Sequence, residues 1–580
     1  MSRIPLLSAT PVLAAALALA ACDRAAEPAA PAPTEASTDA PATAAGNAHA
    51  LPADRGYEPA ITAEDFVHRV QVLASDDFQG RAPGTPGEEK TVEWLAAEFE
   101  RLGLEPAGED GTWFQDVPMV ETTADESSVR MDLLVDGQER SLAFGEDMVI
   151  GTRTGEAKVE IDDSQLVFVG YGVNAPEAGW NDYEGVDVEG KTVVMFVNDP
   201  GFHTQDEALF EGERMTYYGR WTYKFEEAAR QGAAAALIIH DTAGASYGWD
   251  VVKNSWSGPQ FDLTAADDPE PRLPAQGWIT GDVARDLLGN LGHDLDALYQ
   301  AANQPGFKAI ELDATMSLDL SSTSTHGSSR NVIARLPGAT SPDEAVVYMG
   351  HWDHLGTHED GRIYNGAIDN ATGIAGIVEI AEAFASREQR PDRSLVFLAV
   401  TLEESGLLGS KYYVAHPSVP LEDTVAVINL DAMPVIGQAS DMTVVGLGNS
   451  ELEDILEGVL EEQGRTMSAE ATPQDGFFFR SDHFNFAKAG VPALYAKGGD
   501  NLRDGGLEAG AAAQRDYRDA RYHQPDDTYD PSWDVSGVIE DLQALYQVGE
   551  VLVDGEQWPN WREGNPFRAN RDRMMDARAD

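Results

Sequence analysis

From Asn331 onward, short apolar runs alternate with amphipathic stretches, and the alternation predicts strands and helices in turn. Val332 to Leu336, Val346 to Met349, Leu395 to Val400, Val425 to Leu430 and Pro492 to Tyr495 are strand-length runs bounded by polar residues. Between them, Asn370 to Phe384 puts Ile374, Ile377, Val378 and Ala381 on one helical face, and Leu407 to Val414, Glu451 to Gln463 and Gly537 to Val551 repeat that spacing. Such an order predicts an α/β sandwich.

Nearer the N-terminus, Ala63 to Ala74 and Gly87 to Leu102 have helical spacing, with the glycine- and proline-rich loop Asp77 to Thr85 between them. Trp113 to Val120 and Val129 to Leu134 read as strands. Near residue 140 the pattern changes to Gln165 to Tyr171, Thr192 to Val197 and Ala233 to His240 as strands around the helix Tyr223 to Gln231. Trp249 to Phe307, residues 498 to 521 and the tail after Trp558 show no clear periodicity and read as loops and tail. The expected division is a main domain in two parts, 57–139 and 316–556, an insert at 140–315, and a tail at 557–580.

Composition agrees with two folded domains plus tails: 580 residues, 42% apolar and 24% charged. The 99 acidic against 40 basic residues give a net charge of -59, which argues against nucleic acid and against an anionic membrane surface as partners. Arg3, the apolar stretch Ala14 to Ala20 and the run Leu19-Ala20-Ala21-Cys22 resemble a bacterial lipoprotein signal. That resemblance implies a leader over 1–22, a lipid anchor at Cys22, a disordered tether over 23–56, and export to the cell envelope. Cys22 is the only cysteine, so no intramolecular disulfide forms.

Candidate chemistry sits just after the apolar runs. His351 and Asp353 follow Val346 to Met349, Glu403 and Glu404 follow Leu395 to Val400, Asp431 ends Val425 to Leu430, and Asp369 opens the Asn370 helix. Open α/β sheets place ligands at the carboxyl ends of their strands. His351, Asp369, Glu404, Asp431 and the distant His523 are therefore candidate ligands for a pair of divalent ions, zinc first. Three carboxylates against two such ions leave one net positive charge, enough to polarise a carbonyl, and one carboxylate must bridge. Neighbouring Glu403 and Glu404 point to opposite faces if the chain is extended, which divides them into a ligand and a base. Asp353, two residues from His351, can accept its N–H and set its tautomer. His354 and His358 read as loop residues, His240 as a strand residue, Asp482 and His483 as structural, and Arg480 and Arg521 as partners either for a substrate carboxylate or for the abundant acids.

These motifs, H-W-D, G-A-I-D-N-A-T-G, E-E-S-G-L-L-G-S, N-L-D, F-F-F-R-S-D-H-F-N-F-A-K-A-G-V-P-A-L and R-Y-H-Q-P-D-D, resemble the M28 metallopeptidases, the family of leucyl-type aminopeptidases and glutamate carboxypeptidase. The resemblance implies a three-layer α/β/α zinc-exopeptidase sandwich with a mixed sheet, two Zn2+ ions and peptide substrates. It assigns His351, Asp369 and Asp431 to one ion, Asp369, Glu404 and His523 to the other, Glu403 as general base, Asp353 as the orienting group, and Tyr522 as an oxyanion donor. Val167 to Val173, Gly190 to Val197 and Glu227 to Ile239 resemble a β-rich protease-associated (PA) insert. An aminopeptidase is the first expectation. The alternatives are a carboxypeptidase or dipeptidase, a one-zinc glutaminyl cyclase, and a receptor-like binding protein that has lost catalysis.

Overall fold

The computed structural model describes residues 56–268, 270–358 and 360–579. The expected leader at 1–22 and nearly all of the tether at 23–56 lie outside the described residues. No helix among the described residues is long and apolar enough to cross a membrane.

The apolar runs assemble into a mixed sheet whose central strands are, in order, Arg393–Val400, Ser341–His351, Thr424–Asn429 and Ala493–Gly498, all parallel. Ile310–Leu336 borders them antiparallel on one side and Asp441–Val444 on the other. Parallel strands inside a sheet are covered on both faces, so successive positions are apolar rather than alternating with polar ones. Val346 and Tyr348 join one core with residues of the helices Ala63–Leu73, Pro86–Arg101, Gly373–Ala385 and Ser536–Val553. Val347 and Met349 join the opposite core with residues of Leu408–Ala415 and His483–Ala489. The result is the expected three-layer α/β/α arrangement. Gly373 sets how closely helix and sheet approach: a Cβ there would meet Asn370 Oδ1 at 2.2 Å and the Leu430 carbonyl at 2.4 Å.

The 27-residue strand Ile310–Leu336 belongs to two sheets. Its later part pairs with Phe114–Ala124 and Arg393–Val400 in the main sheet, and its earlier part pairs with Arg130–Val135 and Lys158–Phe168 in a second sheet. That second sheet continues through Thr192–Phe196, Ala235–Ile239 and Ala275–Ile279 and carries its own apolar cores. By strand pairing the insert begins near residue 125 and ends near 321, wider than the expected 140–315. The strand Arg130–Val135, assigned by sequence to the main domain, belongs to the insert sheet because Met131 and Leu133 pack in its core. Conversely, Pro259–Leu263 lies within the insert span but pairs with Phe114–Ala124 in the main sheet.

Three stretches read as irregular are ordered. Trp249 to Phe307 contains the helices Trp249–Trp256, Gly281–Asn290 and Leu295–Ala302. The stretch 498–521 contains the helix Gly506–Ala520, which buries only Gly510 and so lacks an apolar stripe. The tail also packs: Trp561 and Phe567 enter the core beside His483–Ala489, and Arg571 on helix Arg568–Ala579 donates to the carbonyls of Thr424 and Val425 at 3.1 Å each.

Candidate metal centre

Every candidate ligand arrives at the carboxyl edge of the parallel strands. His351 ends the strand Ser341–His351, and its Nε2 lies 3.2 Å from Asp369 Oδ1 and 3.4 Å from Asp431 Oδ1. His523 Nε2 lies 3.3 Å from Asp369 Oδ2 and 3.1 Å from Glu404 Oε2. The two oxygens of Asp369 thus face two different imidazoles. Donors sharing one tetrahedral zinc-sized ion stand about 3.3 Å apart, given bonds of about 2.0–2.2 Å. The donor set and its spacings fit cations. Four carboxylates, those of Asp369, Glu403, Glu404 and Asp431, converge on two imidazoles with little exposure to solvent, and charge of one sign gathered this way needs compensation. Donor atoms of His351, Asp369 and Glu404 fall within 4.8 Å of one another, and so do those of His351, Glu403 and Asp431. Glu403 is the loosest member, with Oε2 at 4.0 Å from His351 Nε2.

The electrostatics follow from this crowding. Burial opposes the charge on His523, yet Asp369 and Glu404 outweigh it and hold the imidazole up at about 10. Burial and the nearby Asp369 push the Glu404 carboxyl up, but His354 and His523 pull it down to about 2. Burial raises Glu403 well above the carboxylate range, with Glu404 and Asp431 adding to the rise and His351 opposing it.

Positioning comes from groups to which the sequence assigned no role. Asn370 Nδ2 donates to the Leu430 carbonyl at 3.0 Å, and its Oδ1 accepts from Gly373 N at 2.9 Å and Ala432 N at 3.1 Å, joining the Asp369 and Asp431 segments. Asp527 accepts from the amides of Ile368 and Asp369, so the loop that carries His523 also braces Asp369. Ser481 Oγ donates to Asp431 Oδ2 at 2.7 Å, leaving Oδ1 toward His351. Leu402, Ala432 and His523 have left-handed φ values of 56°, 48° and 54°, and non-glycine residues are held there only where surrounding structure fixes them.

Two expectations change. Asp353 orients His351 through its main-chain oxygen, 3.1 Å from Nδ1, while its carboxylate oxygen stands at 3.8 Å and instead accepts the Glu403 amide at 3.2 Å. Glu403 and Glu404 lie in a turn, not in extended chain, and it is the turn that sends one toward His351 and the other toward His523. His354, read as a loop residue, is buried, and its Nδ1 lies 2.7 Å from Glu404 Oε1. Its place one residue after Asp353 was the only hint. Asp482 accepts from Ser410 Oγ at 2.6 Å, and buried His483 is pushed down to about 3 by desolvation, which suits structural roles. Arg521 pairs with Asp530 at 3.7 Å.

Two cavities flank the cluster. One, about 380 Å³, runs past His351 and Asp431 toward Thr443, Glu470 and Lys497. The other, about 360 Å³, runs past Glu404 and His523 to insert residues including Arg220 and Trp221. Glu403, Arg480 and Tyr522 line both, and the Tyr522 ring stacks on His523 at 4.0 Å between centroids.

An α/β/α sandwich that gathers histidines and carboxylates at the ends of its parallel strands, beside an open cleft, has the donors to hold metal ions where a substrate could reach them. Residues 331–547 match Peptidase family M28. The mouse protein Aminopeptidase NAALADL1 is 29% identical over 207 residues, covering 33% of this chain and 26% of its own. A Probable zinc metalloprotease of Pyricularia oryzae is 43% identical over 86 residues, covering 14% of this chain and 16% of its own. The matched stretches thus span about a quarter or less of these two relatives. Among solved structures, the aminopeptidase from Aneurinibacillus sp. strain AM-1 aligns with a TM-score of 0.46 and 20% identity over 86% of this chain and 95% of that one.

Proposed function

We propose that the protein is an exopeptidase with two zinc ions that removes N-terminal residues from peptides. The observation that carries this reading is Asp369, whose two oxygens face His351 and His523 separately, as a bridging carboxylate requires. His351, Asp369 and Asp431 would hold one ion, and Asp369, Glu404 and His523 the other. When bound, such ions would supply Lewis acidity toward a scissile carbonyl and an attacking water. Glu403 accepts the proton from that water at a carboxylate oxygen and returns it to the nitrogen of the leaving amine. Tyr522, which lines both cavities, donates its hydroxyl to the developing oxyanion in this reading. The insert, in this reading a protease-associated unit, narrows the cleft, since Arg220 and Trp221 wall the second cavity. The preference for the amino end draws on the mouse relative, which is named an aminopeptidase.

Elemental analysis of the purified protein is expected to give two zinc ions per chain, and chelation to abolish cleavage of free-amine peptides while N-acetylated ones are not cleaved beforehand. A single ion with turnover of N-terminal glutamine peptides would favour a glutaminyl cyclase, and cleavage of N-blocked peptides a carboxypeptidase.

His354 fixes the Glu404 carboxylate by holding Oε1, so that Oε2 faces His523. Outer partners of this kind are worth about 10–100-fold in metal affinity. His354→Ala should weaken the ion at Glu404 and His523 by that factor in chelator competition and leave the other ion bound. Parental affinity at both positions would show that His354 does not set the ligand.

A further inference from the structure

A third cavity, of about 440 Å³, is formed jointly by the insert, the main domain and the tail, and its volume is that of an ordinary ligand pocket. Its walls are rich in rings: Trp180, Phe210, Tyr217 and Tyr218 come from the insert, Phe478 from the main domain and Phe567 from the tail. Aromatic residues make up only 8% of the chain, so this concentration is not a sample of its average surface. Phe210 meets Trp180 and Tyr218 edge to face, at 5.3 Å and 5.8 Å between centroids. The faces of such rings carry negative potential and attract cations.

The charged groups on these walls favour the same sign of ligand. Glu177, Glu207, Glu211 and Glu470 stand against one cation, Arg214, which lies 3.4 Å from Glu211 and donates to the Leu447 carbonyl at 3.0 Å. Glu207 has no ion pair among the described residues. Glu470 accepts from Gly446 N at 3.2 Å through Oε1, while its Oε2 is buried without a hydrogen-bond partner. Burial pushes this carboxyl above its usual range, opposed by the Gly446 amide, Arg214 and Lys497. A buried carboxylate oxygen on a cavity wall, left without a donor, is what a cationic ligand would satisfy. The backbone adds a separate observation. Phe210 and Glu211, both on the wall, have left-handed φ values of 46° and 58°, and strained non-glycine residues gather where a ligand is gripped.

We propose that this cavity is a second binding site, which takes the side chain of a lysine or arginine residue within a peptide. The aliphatic stem of such a side chain lies along the rings, and its cationic tip meets the carboxylates, Glu470 foremost. A peptide fits better than a free diamine. Asn449 accepts from Asn565 Nδ2 at 2.9 Å, and its own Nδ2 has no partner among the described residues, which leaves it to donate to a peptide carbonyl. A diamine has no carbonyl to offer, and the aromatic walls would strip water from its second ammonium. None of the candidate metal ligands lines this cavity, so the proposal goes beyond the exopeptidase reading and does not depend on it.

The test is calorimetric titration of the zinc-loaded protein with N-acetyl-Ala-Lys-Ala-amide, with the same peptide carrying norleucine for lysine, and with cadaverine. Both peptides are blocked at each end, so binding is read without turnover. Norleucine keeps the aliphatic stem and loses the ammonium. A cation held by ring faces and a desolvated carboxylate predicts that the lysine peptide binds about tenfold more tightly than the norleucine peptide. That ratio should fall toward one in Phe210→Leu and in Glu470→Gln, and should survive removal of the metal by a chelator. Glu207→Gln alters an exposed side chain, so with Phe210→Leu it carries the test if Glu470→Gln does not fold; it too should lower the ratio. Equal affinity for the two peptides overturns the cation site. A ratio that persists through these substitutions, or that is lost with the metal, places the binding elsewhere and overturns it as well. Cadaverine bound as tightly as the lysine peptide overturns the peptide as occupant.

Discussion

Glu403→Gln is expected to turn over peptide about 10²–10⁴-fold more slowly than the parent while binding the same complement of ions. Glutamine keeps the length and shape of the side chain but cannot take up a proton. The Glu403 amide still donates to Asp353 Oδ1, and Leu402 still holds its left-handed φ, so the turn is kept. Glu403 is also the loosest member of the cluster, at 4.0 Å from His351, so its replacement should leave ion binding to the proposed ligands His351, Asp369, Asp431, Glu404 and His523. The fall should appear in kcat with KM little changed, because proton transfer is made only in the transition state. Glu404→Gln is the informative contrast: removing a charge 3.1 Å from His523 should release an ion as well as activity. A Glu403→Gln enzyme within tenfold of the parent would remove the residue from the proposed chemistry.

The chemistry at strand ends was legible because each candidate follows a run of apolar residues, and burial on both faces makes those runs continuous. Val346 to Met349 leading into His351, and Leu395 to Val400 leading into Glu403, are the clearest instances. His523 has no such strand before it, and only the R-Y-H-Q-P-D-D motif pointed to it. What could not be read are side chains whose partners are main-chain atoms or remote polar groups, since such bonds leave no periodicity. Asp527 caps the amides of Ile368 and Asp369 from about 160 positions away in sequence, and Ser481 turns Asp431 from another segment. The boundary of the insert was hidden for a related reason. One uninterrupted strand, Ile310–Leu336, serves two sheets, so hydropathy does not break where the pairing changes. Trp561 and Phe567 were isolated in a charged tail, yet two large aromatic rings suffice to dock it.

Arg81 is the furthest such case, in a glycine- and proline-rich loop, and its removal should have the largest structural effect. Its fully buried guanidinium donates to four carbonyls: Trp352 at 2.8 Å, Leu73 at 2.8 Å, Asn365 at 2.6 Å and Gly366 at 2.9 Å. Trp352 follows the candidate ligand His351, and Asn365 and Gly366 lead into Asp369, so one side chain ties both approaches to the cluster to helix Ala63–Leu73. Burial pushes Arg81 down to about 10, opposed by Asp527, Asp369, Asp353 and Glu404, which leaves it charged at neutral pH as the cation behind the acidic cluster. Arg81→Met retains much of the packing volume but strands four buried carbonyls and removes that charge. Losses at buried charged networks run to about 3–5 kcal/mol, which should appear as a lower denaturation midpoint in urea. The ions should also bind at least about tenfold more weakly, because the segment carrying Asp369 loses its anchor. Arg81→Lys should fall between the two, since an ammonium has three donors and no planar fork to reach all four carbonyls. A parental midpoint together with parental ion affinity in Arg81→Met would mean that the loop, and not its arginine, holds the two segments in place.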